Sequence, residues 1–374
     1  MSQNNLKEVA KLFSKLGVIS FGGPAAHNAM MYNEVVVKKK WMNEQHFLDL
    51  VSAANLIPGP NSTELAIHIG KEKAGWKGLL VAGICFIIPA VIITGLFAWF
   101  YKHYGQLPQI QPFIYGIKPA IIAIILSAIY PLAKKSLKTL ELGIIGAMTL
   151  ILSLFQINEI YLMFGAGFIA VALLSIRNNK LNANFIFPLT LLQIPKMTFL
   201  ASINLNLFLT FLKIGAILYG SGYVLFAFLD TELVAKGIIS RQQLIDAIAV
   251  GQFTPGPVFS SVTFIGFQIN DLSGAIVSTF AIFLPSFIFV ALSSQFVKKM
   301  RNSKLFSAFL DAVNIASVAI IIAICYQMGK ETITDWRTIT IAIISLIVTF
   351  GFKKVNNVLV VFGSSIIGYL LMLL

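Results

Sequence analysis

The chain reads as an all-α polytopic membrane protein made of two homologous halves, arranged as an inverted repeat, each with a helix break or re-entrant segment at Pro-Gly-Pro. Three observations predict this. Hydrophobic residues make up 57% of the sequence and charged residues 11%, a composition too apolar for a soluble globular domain. Pro-Gly-Pro occurs twice inside long apolar segments, at Pro58-Gly59-Pro60 and Pro255-Gly256-Pro257. Proline lacks a backbone N–H and clashes with the preceding turn, so each copy breaks a helix. In hydrocarbon such a break persists only where it is packed in protein or lines a polar cavity. The third observation is that the surroundings of the two copies match in order.

Along the first half, Leu6, Val9, Leu12, Phe13 and Leu16 recur at helical spacing among Lys7, Glu8, Lys11 and Lys15, predicting an interfacial helix rather than a secretory signal. A glycine-rich break, Gly22-Gly23-Pro24, follows. Lysines at 38–40, 71 and 73 flank the first Pro-Gly-Pro; placing both groups on the cytoplasmic side makes 47–70 a re-entrant hairpin. The uncharged runs Leu79 to Tyr101, Ala247 to Ile269, Leu272 to Val297 and Val355 to Leu374 approach or exceed a bilayer's thickness. Shorter spans fall at 113–133, 142–157, 160–176, 308–329 and 338–352, for about ten crossings besides the re-entrant segments. Whether 6–31 and 185–203 cross is left open by their sequences.

The repeat is read residue by residue. Phe13, Lys15, Gly17, Ile19 and Gly22 align with Phe211, Lys213, Gly215, Ile217 and Gly220, and Glu34 with Glu232. One residue of slippage aligns Asp49 with Asp246, Asn55 with Gln252 and the two Pro-Gly-Pro breaks; a second aligns Gly78 with Gly274 and Pro89 with Pro285. The units are therefore 1–180 and 205–374, joined by 181–204. The connection at 102–112 is external in this scheme. Its second-half counterpart carries Lys298, Lys299, Arg301 and Lys304, which belongs inside, so the halves are inverted. Lys236 and Arg241 fall on the outer side, against the scheme.

A net charge of +13 could suggest nucleic acid, but the lysines cluster in short connections without interleaved aromatics, as topology signals do. No nucleic-acid partner is expected; the lipid bilayer is. Cys85 and Cys325 alone supply neither a disulfide framework nor a metal cluster, and no metal or other cofactor is expected. Neither a nucleophilic triad nor a nucleotide-binding loop is present, so the chain is not an enzyme and transport runs on gradients.

Broken helices in matching positions of two halves are the pattern of a secondary transporter. Glycines Gly22, Gly23, Gly220 and Gly222 allow close approach of a ligand, and half-helices starting after the breaks direct N–H groups and a positive dipole end at it. Asn61, Ser62, Thr63, Ser260, Ser261 and Thr263 follow the breaks, where N-capping is the bland alternative. Lys213 sits in an apolar run and repeats Lys15; such an ammonium snorkels, pairs with a carboxylate or serves transport. Glu34 and Glu232 are the pairing candidates, and each is also a candidate for proton coupling. Lys118 and Asp311 form a further charged set in which each could neutralise the other. His27 and His68 read as structural hydrogen-bonding groups rather than proton relays.

The run Phe21 to His27, Glu34, Trp41 and Asn55-Leu-Ile-Pro58-Gly59-Pro60-Asn61-Ser62 resembles the signature of the chromate ion transporter family. Lys213-Ile-Gly215, Tyr219 to Leu225 and Gln252-Phe-Thr254-Pro255-Gly256-Pro257 resemble its repeated domain. The resemblance implies a two-domain, inner-membrane carrier that moves chromate outward, with sulfate a similar oxyanion and competitor or counter-substrate; a homodimer stays open. A tetrahedral dianion suits converging donors. On this expectation Lys15 and Lys213 supply charge. The breaks, Gly22, Gly23, Gly220, Gly222, Pro58, Gly59, Pro60, Pro255, Gly256 and Pro257, supply N–H donors. Asn55, Gln252, Asn61, Ser62 and Ser260 add neutral hydrogen bonds. An uptake carrier for sulfate or another oxyanion, a passive anion channel and a membrane-embedded enzyme are the alternatives, the last disfavoured because the repeated polar positions supply no paired acid and base at catalytic spacing.

Overall fold

The computed structural model describes residues 3–21, 23–177, 202–220, 222–301, 303–352 and 355–373. Gly22 and most of the predicted 181–204 connection lie outside the described residues, as does nearly all of 185–203. Every regular element described is helical. The first half contains α1 (Gln3–Ile19), α2 (Gly23–Tyr32), α3 (Glu44–Ala54), α4 (Asn61–Tyr104), α5 (Gln111–Ser136), α6 (Leu140–Leu154) and α7 (Glu159–Arg177). The second contains α8 (Ile203–Ile217), α9 (Val224–Leu229), α10 (Arg241–Phe253), α11 (Ser261–Arg301), α12 (Lys304–Thr332), α13 (Trp336–Gly351) and α14 (Asn357–Met372). The two series correspond helix for helix. Even the π-helical turns after α2 (Asn33–Lys38) and after α9 (Asp230–Val234) recur.

Both Pro-Gly-Pro segments end one helix and start the next, and their glycines take positive φ, 130° at Gly59 and 92° at Gly256. The uncharged run Ala247 to Ile269 is therefore not one crossing: α10 ends at Phe253, and α11 starts at Ser261 behind a 3-10 turn, Val258–Ser260. A second break lies beyond each. In α4, Ala74 (φ −138°, ψ 21°) and Gly75 (φ 63°, ψ −151°) leave helical geometry; in α11, Asn270 (φ −146°, ψ 47°) and Asp271 (φ 48°, ψ −146°) do the same. Each short leading piece folds back on its own long helix. Contact is so close that a Cβ at Gly78 would strike the Gly70 carbonyl, and one at Gly274 the Gly266 carbonyl.

The long parts of α4 and α11 pack together and run antiparallel. At one end Lys71 donates to the Val290 and Ala291 carbonyls, each at 3.2 Å; at the other, Gln268 donates to the Ala98 carbonyl at 2.9 Å and Lys102 pairs with Asp271 at 2.5 Å. Their outer faces carry matching apolar ladders at four-residue spacing, broken on α11 only at half-buried Leu284. Leu80, Ile84, Ile88, Ile92 and Leu96 are exposed on α4, and Leu272, Ile276, Phe280, Ile288 and Leu292 on α11, as lipid-facing stripes require.

Further out, the halves exchange partners. α5 packs on α13 and α14 of the second half, while α12 packs on α6 and α7 of the first. α1 lays Val9, Leu12, Phe13 and Leu16 against α4, as α8 lies against α11. By length and composition α4, α5, α7, α12 and residues 258–292 can cross a membrane, and α6, α8, α13 and α14 are shorter apolar helices. That is a smaller set of clear spans among the described residues than the ten expected, because a break divides the run 247–269 and because α6, α13 and α14 are only 15 or 16 residues long.

Candidate functional site

The four breaks meet at the interface of the halves. Gly59 N donates to the Leu218 carbonyl at 2.8 Å, and Gly256 N donates to the Ser20 carbonyl at 2.8 Å. Each Pro-Gly-Pro thus hydrogen-bonds the chain just before the glycine-rich break of the other half. Proline supplies no N–H, so the glycine between two prolines is the one donor each motif has, and both donors go across.

Beside this crossing is a small cavity lined by Pro24, His27, Pro60, Asn61, Ser62, Gly222, Pro257, Val258 and Phe259, with room for about one water molecule. Pro24 and Gly222, Pro60 and Pro257, Asn61 and Val258, and Ser62 and Phe259 are equivalent positions of the repeat. The geometry is duplicated but the chemistry is not. The first half contributes an imidazole, an amide and a hydroxyl, the second mostly backbone and apolar side chains.

Helix starts surround the cavity, and, like α5, which follows Ile110 elsewhere in the molecule, they lack the side-chain caps that many of the described helices carry. α3, α6, α8, α10, α12, α13 and α14 begin with side-chain caps, from Asn43, Thr139, Ser202, Ser240, Ser303, Asp335 and Asn356. At the cavity, α4 follows Pro60, the 3-10 turn before α11 follows Pro257, and α9 follows Tyr223, none with a side-chain cap. Asn61 does not cap α4; its amide donates to Asn55 Oδ1 at 2.5 Å. Thr63 N and Glu64 N go to the Pro60 carbonyl, Ser260 N to that of Pro257 and Phe226 N to that of Tyr223, so only the N–H groups ahead of these in each helix or turn have no side-chain or helical acceptor among the described residues and can serve whatever occupies the cavity.

Of the residues expected to bind substrate, Pro60, Asn61, Ser62, Gly222 and Pro257 line the cavity, while Gly59 and Gly256 hold the crossing. Pro58 and Pro255 flank those glycines. Gly23, at φ 78°, opens α2, and Gly220, at φ 98°, packs near Ser317. Asn55 supports Asn61 from outside. Gln252 is buried with its Nε2 unpartnered, and Ser260 accepts from Thr94 at 3.3 Å. His27 makes the structural hydrogen bond expected of it. Its Nε2 meets the Ser20 carbonyl at 3.1 Å, its Nδ1 has no partner, and the ring faces the cavity.

Lys15 and Lys213 are placed differently. Lys15 pairs with Glu34 at 2.9 Å, which also holds Lys38 at 2.9 Å; Lys213 pairs with Glu232 at 2.5 Å, which also holds Lys236 at 2.5 Å. Neither lysine lines the cavity. Lys118 and Asp311 do not neutralise each other: Lys118 lies 3.8 Å from Asp246, and Asp311 2.6 Å from Lys138. The antiparallel repeat is the reason, since it sends equivalent residues to opposite ends of the molecule. The sequence does not single out Val258, Phe259 and Thr94, and it presents Pro24 and His27 as part of a break and as a structural hydrogen-bonding group rather than as cavity lining, because these roles come from packing between halves. Glu64, a lone acid just after the first break, could have been found as an ionisable residue in an apolar segment.

The family model described as chromate transporter matches twice, at residues 7–171 and 205–369. A probable chromate transport protein of Synechococcus elongatus is 30% identical over 97% of this chain and 95% of its own length. The chromate transport protein of Cupriavidus metallidurans is 30% identical over 97% of this chain and 92% of its own. An uncharacterized transporter of Bacillus subtilis, YwrA, matches only 40% of this chain but 86% of its own length, at 24% identity, so a single unit exists as a separate chain. No solved structure matches. With both halves matched by one family model and relatives aligned over nearly the whole length, the chain belongs to the chromate transporter family.

Proposed function

We propose that the protein is a secondary carrier of a tetrahedral oxyanion in the inner membrane, moving chromate outward, with sulfate as competitor or counter-substrate. The observation that carries this reading is the group of uncapped helix starts around one small polar cavity at the interface of two inverted halves. Unpaired N–H groups and positive dipole ends favour an anion, and they do so without a side-chain cation. His27, Asn61 and Ser62 add hydrogen bonds from one side.

A tetrahedral oxyanion carries four oxygens, and the cavity has room for about one water. Carriage therefore involves a wider state, reached when the halves shift at the Gly59–Leu218 and Gly256–Ser20 crossing. Lys15 and Lys213, held by their carboxylates, set the angle between each glycine-rich break and the helix after it and raise the local positive potential.

Labelled chromate counterflow in proteoliposomes tests the reading. Uptake should saturate, and sulfate should compete. Asn61→Ala and His27→Ala should each slow it about tenfold, the worth of one hydrogen bond to a charged group. Unsaturable currents through single molecules would show a channel instead. Direction follows from oriented vesicles under an imposed potential, where outward movement of a dianion is favoured by a negative interior.

A further inference from the structure

Glu64 lies in the first turn of α4, three residues beyond cavity-lining Asn61, and is 0% exposed. Its Oε1 accepts a hydrogen bond from Ser286 of α11 at 3.1 Å, and its Oε2 has no partner. Among the described residues it forms no ion pair, in contrast to Glu34, Glu232 and Asp246. Glu64 also touches the crossing between the halves, because a Cβ on Gly59 would collide with its Oε1. The equivalent position of the second half holds Ser261. One acid, in one half only, therefore lies against the contact that must move and one turn of helix from a cavity-lining residue.

The groups around it leave the carboxylate without a cation. The segment after α8 brings the Tyr219 phenol within electrostatic reach, and α11 brings the Ser286 hydroxyl. On its own helix, His68 follows one turn later, buried, and Lys71 is turned to the Val290 and Ala291 carbonyls. On α2 there is His27, and Lys15 of α1 is tied to Glu34. An ionised carboxylate in such a setting is expensive, and a dianion in the adjoining cavity adds repulsion in a medium of low dielectric.

We infer that Glu64 is a proton-binding site linked to the anion cavity, holding its proton in this closed state, more tightly while the oxyanion is bound, and giving it up when the cavity opens to water. The inference rests on the oxyanion reading of the cavity. The proton comes from water on the side to which the cavity opens and returns to water on release. Linkage is reciprocal, so anion binding tightens proton binding by the same factor as protonation tightens anion binding.

Two measurements on the purified full-length protein test it. An infrared spectrum at neutral pH should contain a protonated-carboxyl C=O band that is lost in Glu64→Gln and moved to higher frequency in Ser286→Ala. The second variant keeps the acid, so the band assignment stands even if Glu64→Gln fails to fold. Chromate binding is then measured across alkaline pH, where the probe stays a dianion. Affinity should weaken by about tenfold per pH unit once Glu64 ionises, and be independent of pH in Glu64→Gln. Absence of the band, or unchanged pH dependence in Glu64→Gln, overturns the inference. A wild-type protein that shows the band but binds no chromate keeps Glu64 as a proton site and rejects the oxyanion reading instead.

Discussion

Lys15 and Lys213 each share a carboxylate with a second lysine, so the two halves build the same Lys-Glu-Lys arrangement around Glu34 and Glu232. The sequence repeat exposed both pairs; the fold adds a second lysine, one helical turn after each acid, that completes them. Replacing Lys213 with Gln leaves Glu232 with Lys236, so the loss should be ~1–2 kcal/mol in a thermal or denaturant melt, less than for stranding a buried acid. The ammonium groups of Lys15 and Lys38 hold the Glu34 carboxyl below its usual range. Its contribution is complete above the ordinary carboxylate value of about 4.3 and is lost as pH falls below it. The melting difference between wild type and Glu34→Gln should accordingly be flat near neutral pH and shrink only in acid. Any pH dependence of transport near neutrality then has to come from another group.

At the level of elements, the breaks are legible in sequence because proline and glycine act through the backbone, whatever surrounds them. The fold-back at Ala74-Gly75 and Asn270-Asp271 is not, since only one of the two left-handed positions is a glycine. Asp271 adopts nearly the dihedrals of Gly75, with its carboxylate on Lys102 at 2.5 Å. Substituting Asp271 with Gly removes backbone strain and an exposed ion pair together, so stability should change by no more than about 1 kcal/mol. Gly75→Ala, with no such partner to gain, should be the costlier change. At Gly59, Ala would meet both a positive φ and the Glu64 carboxylate; a loss of ~1–3 kcal/mol from strain alone is expected, seen as a lowered melting temperature, together with lost chromate flux.

Across the whole molecule, the two sequence units are not two bodies side by side. α5 depends on α13 and α14, and α12 on α6 and α7; Lys118 reaches Asp246 and Lys138 reaches Asp311, each across the halves. Residues 1–180 or 205–374 expressed alone would leave those faces open. Each should aggregate or be degraded, while co-expression should yield a stoichiometric complex recoverable through a tag on either part. Recovery of one half as a well-behaved monomer would contradict the exchanged packing.

Apolar composition, the paired Pro-Gly-Pro breaks and the order of matching residues determined by themselves that this is a duplicated, helical membrane protein with unwound segments. Those are properties of the local backbone and of solvent preference, which a residue carries wherever it sits. Tertiary structure decided which breaks face one another, that polar groups of one half oppose apolar groups of the other, and which lysines are already committed to carboxylates. Such relations depend on the antiparallel superposition of two chain segments nearly two hundred residues apart, where a single turn of helix decides whether a charge meets a partner or a cavity.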